Sequence, residues 1–468
     1  MSNRSVAGPA SEPCPPAPAL RDHGDQLRRR DAFGPLAEVT GAGLEVPLVD
    51  GRTVPYADLD YAASAPALAA VIADQQRILP YYASVHRGAG YASAVSTALF
   101  EQSRTTVAEF VGARSEDLTI FTRNTTDALN LLAGAVPEGG GVVCLDIEHH
   151  ANLLPWQRIG ATVVAAADSL DQTLVDLERV VLETGAALLA ITGASNVTGE
   201  VLPLHRLAEL AHRHGARIAV DGAQLVPHRK INIAELGIDY LAFSGHKIYA
   251  PYGVGALIGR SDWLNAADPY LAGGGAVRSV TLEHTEWATG PARHEGGTPN
   301  VLGAAALTAA CRELDRIGDD HLRRHEWRLR TRLLSRLAAI DEVTVLAIWP
   351  DCYDAVGVVS FTVDGYDSGL VAACLSAEHG IGVRDGAFCA HPLAARLGVA
   401  SGALRASFGV GTPASDVDRL LAALQSLITD GPRWAYEIVD GRYRPVNDPR
   451  GTPDWIGTLT SAPAPCEG

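Results

Sequence analysis

Between residues 118 and 258, short apolar runs alternate with helix-like stretches, and this alternation constrains the fold more than any other feature of the chain. The apolar runs are Leu118–Thr122, Val142–Asp146, Thr162–Ala166, Ala187–Thr192, Arg217–Asp221, Tyr240–Phe243 and Val254–Ile258. Asp127–Ala133 and Leu204–His214 lie between them, the long Leu322–Ala338 lies after them, and all three read as helices. Such alternation predicts a mostly parallel seven-stranded sheet covered by helices. Ligands of such sheets gather at the carboxyl ends of the strands. From about Ile340 onward strands and helices alternate more loosely, which predicts a second, smaller α/β domain.

A chain of 468 residues can bury a large core and hold two domains. Hydrophobic residues make up 47% and charged residues 20%, the balance of a soluble globular protein. A net charge of −16 argues against nucleic acid or an anionic membrane as the main partner. It leaves room for small anionic substrates, which respond to local charge. No apolar run approaches the ~18–20 residues of a membrane span, and the N-terminus lacks the apolar stretch of a signal peptide. The seven cysteines show no Cys-x-x-Cys spacing, which speaks against a zinc site or disulfide scaffold and for a reducing cytoplasm. Residues 1–30, rich in Pro, Ala, Ser and Arg, are expected to form a disordered extension. Residues 431–468 are expected to form an irregular wrap or a loose end.

Lys247 follows an apolar strand and the triplet Ser244-Gly245-His246, and Gly/Pro-rich backbone comes after it. A lysine among apolar and small residues is desolvated, so its amine gives up its proton more readily. A neutral amine beside a hydroxyl and an imidazole is suited to condensing with an aldehyde cofactor. Taken alone, the same lysine reads equally well as the solvent-facing end of a strand. Asp221 changes the balance. It ends the apolar run Arg217–Asp221, and enough chain separates it from Lys247 for a helix and a return strand. Pyridoxal phosphate (PLP) needs a carboxylate to keep its pyridine nitrogen protonated, which makes the ring an electron sink. By itself Asp221 reads as a helix N-cap; paired with Lys247 it points to the cofactor.

Several further motifs occur in order. They are Leu59-Asp-Tyr-Ala-Ala-Ser-Ala65, Val85-His-Arg-Gly88, Thr122-Arg-Asn-Thr-Thr126, Glu148-His-His-Ala-Asn152, Ser195-Asn-Val-Thr-Gly199, Gly297-Thr-Pro-Asn300 and Arg405-Ala-Ser407. With the Asp221 and Lys247 segments they resemble the fold-type-I, PLP-dependent class V aminotransferase family, in its cysteine desulfurase/selenocysteine lyase branch of the group II type. The resemblance runs from about Leu59 to about Leu427. It implies a large PLP-binding domain over 59–330, a small C-terminal domain over 331–430, and a segment 31–58 that packs with the small domain.

The resemblance also implies roles for particular residues. Thr125, Thr126, Ser244 and His246 would hold the cofactor phosphate, with Thr298 reaching it from the other subunit of a homodimer. The hydroxyls of the Thr125 segment also read as ordinary helix capping. His149 would stack on the cofactor ring and assist proton transfer; alone, it reads as half of a surface histidine pair. Asn196 and Gln224 would sit near the phenolic oxygen of the cofactor, or are turn residues. Arg405 would grip the substrate carboxylate with its planar fork. Arg384 would be a further active-site arginine, and Arg87 one contributed across the dimer. Cys389, in Val383-Arg-Asp-Gly-Ala-Phe-Cys389-Ala-His-Pro392, would attack the substrate sulfur and hold it as a persulfide. Arg384 and a protonated His391 would favour its thiolate. The Ala387-Phe388 pair departs from the more polar residues often found before this cysteine. The bland alternative is an unreactive apolar cysteine.

The expected reaction is L-cysteine to L-alanine, with a protein as possible sulfur acceptor, no metal, no nucleic acid and no membrane. The main alternative is a PLP-dependent C–S lyase or aminotransferase acting on a specialised amino acid. A catalytically silent sulfur-carrier scaffold is the other, and intact Lys247 and Asp221 argue against it.

Overall fold

A computed structural model describes residues 33–453 and 455–456. The N-terminal extension expected over residues 1–30 lies outside them. The central sheet has seven strands: β1 (Asp117–Thr122), β2 (Val142–Leu145), β3 (Thr162–Val164), β4 (Leu188–Thr192), β5 (Arg217–Asp221), β6 (Tyr240–Ser244) and β7 (Gly255–Arg260). They are ordered β1-β7-β6-β5-β4-β2-β3. Strand β7 is antiparallel to both its neighbours, and the other pairings are parallel. The expected mostly parallel seven-stranded sheet is present, with every strand within two residues of its expected place.

The residues explain the sandwich. Strands β2, β4 and β6 are buried along their whole length, so their apolar side chains must meet protein on both faces. One face packs on Leu177, Val181, Leu207 and Leu210. The other packs on Leu129, Leu132 and Trp156. Helix Thr125–Ala135 thus covers one face, and helices Leu170–Thr184 and Leu204–Arg213 cover the other.

A second core forms around the antiparallel strands Val343–Val345, Val358–Val363, Ala403–Ser407 and Arg384–Gly386. Helices Ser368–His379 and Ala414–Asp430 cover it, and the long helix Asp319–Leu337 contributes Leu329, Leu333 and Leu337. The chain before Leu59 enters this region. Ala57–Asp58 pairs in parallel with Ile381–Gly382, and the Leu59 carbonyl accepts from the Ser407 N–H. This pairing places Asp60 beside the last strand of the second sheet.

The segment after Gly431 differs from the irregular wrap read from the sequence. It forms a hairpin, Tyr436–Val439 with Arg442–Pro445. Glu378 anchors it, accepting from the backbone N–H groups of Arg433 and Trp434 and from the Tyr436 hydroxyl. Among the described residues no helix is long and apolar enough to cross a membrane.

Candidate active site

Strand register assembles the site. Thr192 lies opposite Asp221, Asp221 opposite Ala242, and Ser244 and Thr122 both opposite Gly255. The carboxyl ends of β4, β5 and β6 therefore stand in a row, with the start of helix Thr125–Ala135 above the end of β1. Asn124 caps that helix, its side chain accepting from the Asp127 N–H. The cap is Asn124 rather than the threonines or Asp127, which leaves Thr125 for another task. The Thr125 N–H donates to Ser244 Oγ at 2.8 Å, and the two hydroxyls are 2.7 Å apart. Gly245 is required by close packing: a Cβ there would lie 2.6 Å from Val254 Cγ1 and 2.8 Å from the Val254 carbonyl.

A cavity of about 320 Å³ opens at this edge. Of the residues singled out in the sequence, Thr125, Thr126, Ser244 and His246 line it near the helix N-terminus. His149, Asn196, Asp221, Gln224 and Lys247 line it as well, as do Arg384, Cys389 and Arg405. Arg87, Thr298 and His391 do not line it. Arg87 lines a second cavity, of about 410 Å³, together with Gly297 and Pro299. Thr298, between those two, is exposed.

Electrostatics differ sharply among these groups. Burial pulls Lys247 down from 10.5 to about 8, helped by Arg405 and opposed by Asp221 and Cys389. Asp221 is buried, and burial raises its carboxyl above the usual range; the Ala223 N–H, donating to Oδ1, and Lys247 oppose that rise. The Ala223 bond makes a local turn, not the helix cap that Asp221 offered in the sequence. Burial lowers His149 to about 3, with Lys247, His150 and Arg405 adding to the effect. The Nδ1 atom of His149 accepts from the Ala151 N–H, so the ring proton sits on Nε2. His246 falls to about 4, through burial and then Lys247.

Arg405 is held from two sides. One amino group donates to the Asn196 carbonyl at 2.9 Å and the other to Asp60 Oδ1 at 3.0 Å. Burial lowers its pKa, Asp60 opposes that, and the cross-strand neighbour Arg384 adds to it. Its buried Nε has no partner, and neither has Gln224 Oε1, whose amide nitrogen donates to the Ala62 carbonyl.

Phe388 and Cys389 both carry a positive φ of 54°. This left-handed backbone is strained for a bulky residue. Asn196 Nδ2 donates to the Phe388 carbonyl at 2.8 Å, and the His150 N–H to the Cys389 carbonyl at 2.8 Å. His150 Nε2 is in turn 3.1 Å from His391 Nδ1.

Asp60, Phe388 and Glu148 have no role that can be read from the sequence alone. Glu148 is fully buried and accepts from Asn152 Nδ2 and the Thr192 N–H, fixing the turn that carries His149. A signal existed for Asp60, an acid inside an otherwise apolar motif, but not for Glu148, which stands among histidines and Asn152. None existed for the strain at Phe388.

The class V aminotransferase family model matches residues 58–420. The chain belongs to the class V aminotransferase family. Among relatives in this family, a cysteine desulfurase of Klebsiella pneumoniae is 38% identical over 391 residues, covering 81% of this chain and 94% of its own. A probable cysteine desulfurase of Mycolicibacterium paratuberculosis is 37% identical over 369 residues, covering 76% of this chain; the match spans 53% of that longer relative, about half its length. Among solved structures, the cysteine desulfurase of Thermococcus onnurineus superposes with a TM-score of 0.75 at 33% identity, over 84% of this chain and 98% of that one. The desulfurase CsdA of Escherichia coli gives 0.71 at 32% identity, over 80% and 94%.

Class V aminotransferases and cysteine desulfurases depend on PLP, and the cavity fits that group. A helix N-terminus with two hydroxyls suits a phosphate. A buried carboxyl with a single backbone donor suits a pyridinium N–H. The unpartnered Gln224 Oε1 and Arg405 Nε are unmet polar atoms that a polar ligand satisfies.

Proposed function

We infer that this protein is a PLP-dependent cysteine desulfurase that converts L-cysteine to L-alanine and leaves the sulfur on Cys389. The observation that carries the reading is one cavity shared by Lys247, Asp221, Arg405 and a cysteine on a strained loop. The Klebsiella and Thermococcus relatives bear the same activity in their names.

Bound PLP supplies an electron sink beside the substrate Cα. Thr125, Thr126, Ser244 and His246 would hold its phosphate, Asp221 would keep its pyridine nitrogen protonated, and His149 would lie against its ring. Arg405, already oriented by Asp60 and the Asn196 carbonyl, takes the substrate carboxylate. Lys247, with its proton affinity lowered by burial, accepts the proton from Cα. Neutral His149 repels neither the amine nor the cationic arginine. The Cys389 sulfur then attacks the substrate sulfur. An S–S bond forms, and the Cβ–S bond breaks with its electron pair left on Cβ. One proton completes the methyl group, Lys247 returns its proton to Cα to give alanine, and Cys389 becomes a persulfide. The terminal sulfur passes to a protein acceptor.

A homodimer in the cytoplasm is the proposed working state. Arg87 and the Gly297–Pro299 turn lie together outside the chain's own catalytic cavity, as residues offered to a neighbouring subunit would. The enzyme is tested by product analysis. Cysteine plus a thiol reductant should give alanine and sulfide in equal amounts. Pyruvate and ammonia as the main products would replace the desulfurase reading with a lyase.

A further inference from the structure

Another cleft, about 380 Å³ in volume, lies on the long helix Asp319–Leu337 and shares no lining residue with the catalytic cavity. Four arginines line it: Arg229, Arg323, Arg324 and Arg330. Arg229 is already balanced by Asp354, the one lining carboxylate, and by the buried Glu326, and Arg323 is paired with Asp319, so the charges left open are those of Arg324 and Arg330. In a protein of net charge −16, such a local excess of guanidinium is conspicuous. Arg324 and Arg330 repel one another unless a further anion joins them.

Two of the lining arginines also carry a shielded nitrogen with no partner. Arg330 Nε and Arg229 Nε are shielded from solvent and have no hydrogen-bond partner. Burial lowers the pKa of Arg330, and Arg229 adds to that while Glu200, Cys352 and Asp354 oppose it. A buried donor left unsatisfied is costly, and most such groups in folded proteins find a partner. The cleft also has aromatic walls turned to solvent: Trp327 is 66% and Tyr353 92% exposed. Trp327 stands three residues from both Arg324 and Arg330, so the three side chains follow one another on one helix face.

We propose that this cleft is a binding site for a nucleotide-class anion, whose phosphate takes the guanidinium forks of Arg324 and Arg330 and whose planar base lies on Trp327. Arginine forks match phosphate oxygens in pairs. An exposed indole offers the flat surface on which bases stack. Neither group alone selects this class. A phosphate without a ring leaves the indole bare, and a base without a phosphate leaves the Arg324 and Arg330 charges unbalanced.

The test uses the full-length holoenzyme, so that the cofactor's own phosphate site is filled. Calorimetric titration with AMP should give saturable binding at least tenfold tighter than with inorganic phosphate or with adenosine. Arg324→Gln, at an exposed position, should weaken AMP at least tenfold, and Trp327→Ala should bring AMP down to the level of phosphate. Desulfurase activity should be unchanged in both variants. Arg330→Gln should match Arg324→Gln; if it fails to fold, the exposed variant still decides. AMP bound equally well by wild type and Arg324→Gln overturns the proposal, as does the absence of saturable binding. Binding of a hexaglutamate peptide but not AMP also overturns it and marks the cleft as a docking surface for an acidic protein.

Discussion

Replacing Glu148 by glutamine tests how the turn bearing His149 is held. A carboxyl group accepts at both oxygens in either protonation state, and here both oxygens are used. Asn152 Nδ2 donates at 2.7 Å and the Thr192 N–H at 3.1 Å. The Asn152 amide cannot simply turn over, because its oxygen accepts from Trp156 Nε1 at 2.9 Å. A glutamine accepts at one atom only, so Glu148→Gln sets an N–H against an N–H in a fully buried place. An unmet buried donor costs about 1–3 kcal/mol, and that is the expected loss in chemical denaturation of the apo protein. Asn152→Asp in the same chain reverses the polarity of the network. The glutamine nitrogen then donates to residue 152, its oxygen accepts from Thr192, and the second carboxylate oxygen keeps Trp156. The double variant should recover at least 1 kcal/mol relative to the sum of the single losses. Stability within about 0.5 kcal/mol of wild type for Glu148→Gln alone, or no recovery in the double variant, would refute this reasoning.

Lys247→Met should stabilise the apo protein at pH 7. The amine is lowered from 10.5 to about 8, a difference worth about 3 kcal/mol. Between those values the unfolded chain binds more protons than the folded one, so wild-type stability rises with pH across that window. The advantage of the methionine should shrink as pH approaches 10, which pH-resolved denaturation reads directly. Arg405→Lys should raise KM for cysteine roughly 10–100-fold, because one ammonium cannot serve the Asn196 carbonyl, Asp60 and a substrate carboxylate together; charged hydrogen bonds are worth about 1.5–3 kcal/mol each. Steady-state kinetics with unchanged KM would remove Arg405 from carboxylate binding. Lys247→Ala and Thr298→Arg, each inactive, should partly restore activity when their subunits are mixed, and no recovery after verified subunit exchange would place Thr298 outside the site.

The sheet was legible because its strands are apolar throughout and its helices periodic; Arg217–Asp221 falls where the sequence puts it. Lys247 and Asp221 stood out for a related reason, being polar residues at the ends of apolar runs. The carboxyl-end geometry of a parallel sheet then brought them into one cavity. What stayed hidden depends on partners far apart in the chain. Asp60 meets Arg405 only because Ala57–Asp58 pairs with Ile381–Gly382, a short parallel contact with no periodicity of its own. The hairpin after Gly431 is fixed by Glu378, an acid on a helix remote in sequence. The strain at Phe388 and Cys389 is likewise imposed from outside, by bonds from Asn196 and His150.

The central claim is that Cys389 receives the sulfur, and Cys389→Ser tests it most directly. The loop is anchored through the carbonyls of Phe388 and Cys389, which serine retains, so the variant should fold and bind PLP as wild type does. The measurement is the alanine-to-pyruvate ratio from cysteine, together with trapping of a persulfide on the peptide containing residue 389. The account predicts alanine and a trapped persulfide for wild type, and neither for Cys389→Ser. Alanine formed at the wild-type rate by Cys389→Ser, or pyruvate as the main wild-type product, would contradict it.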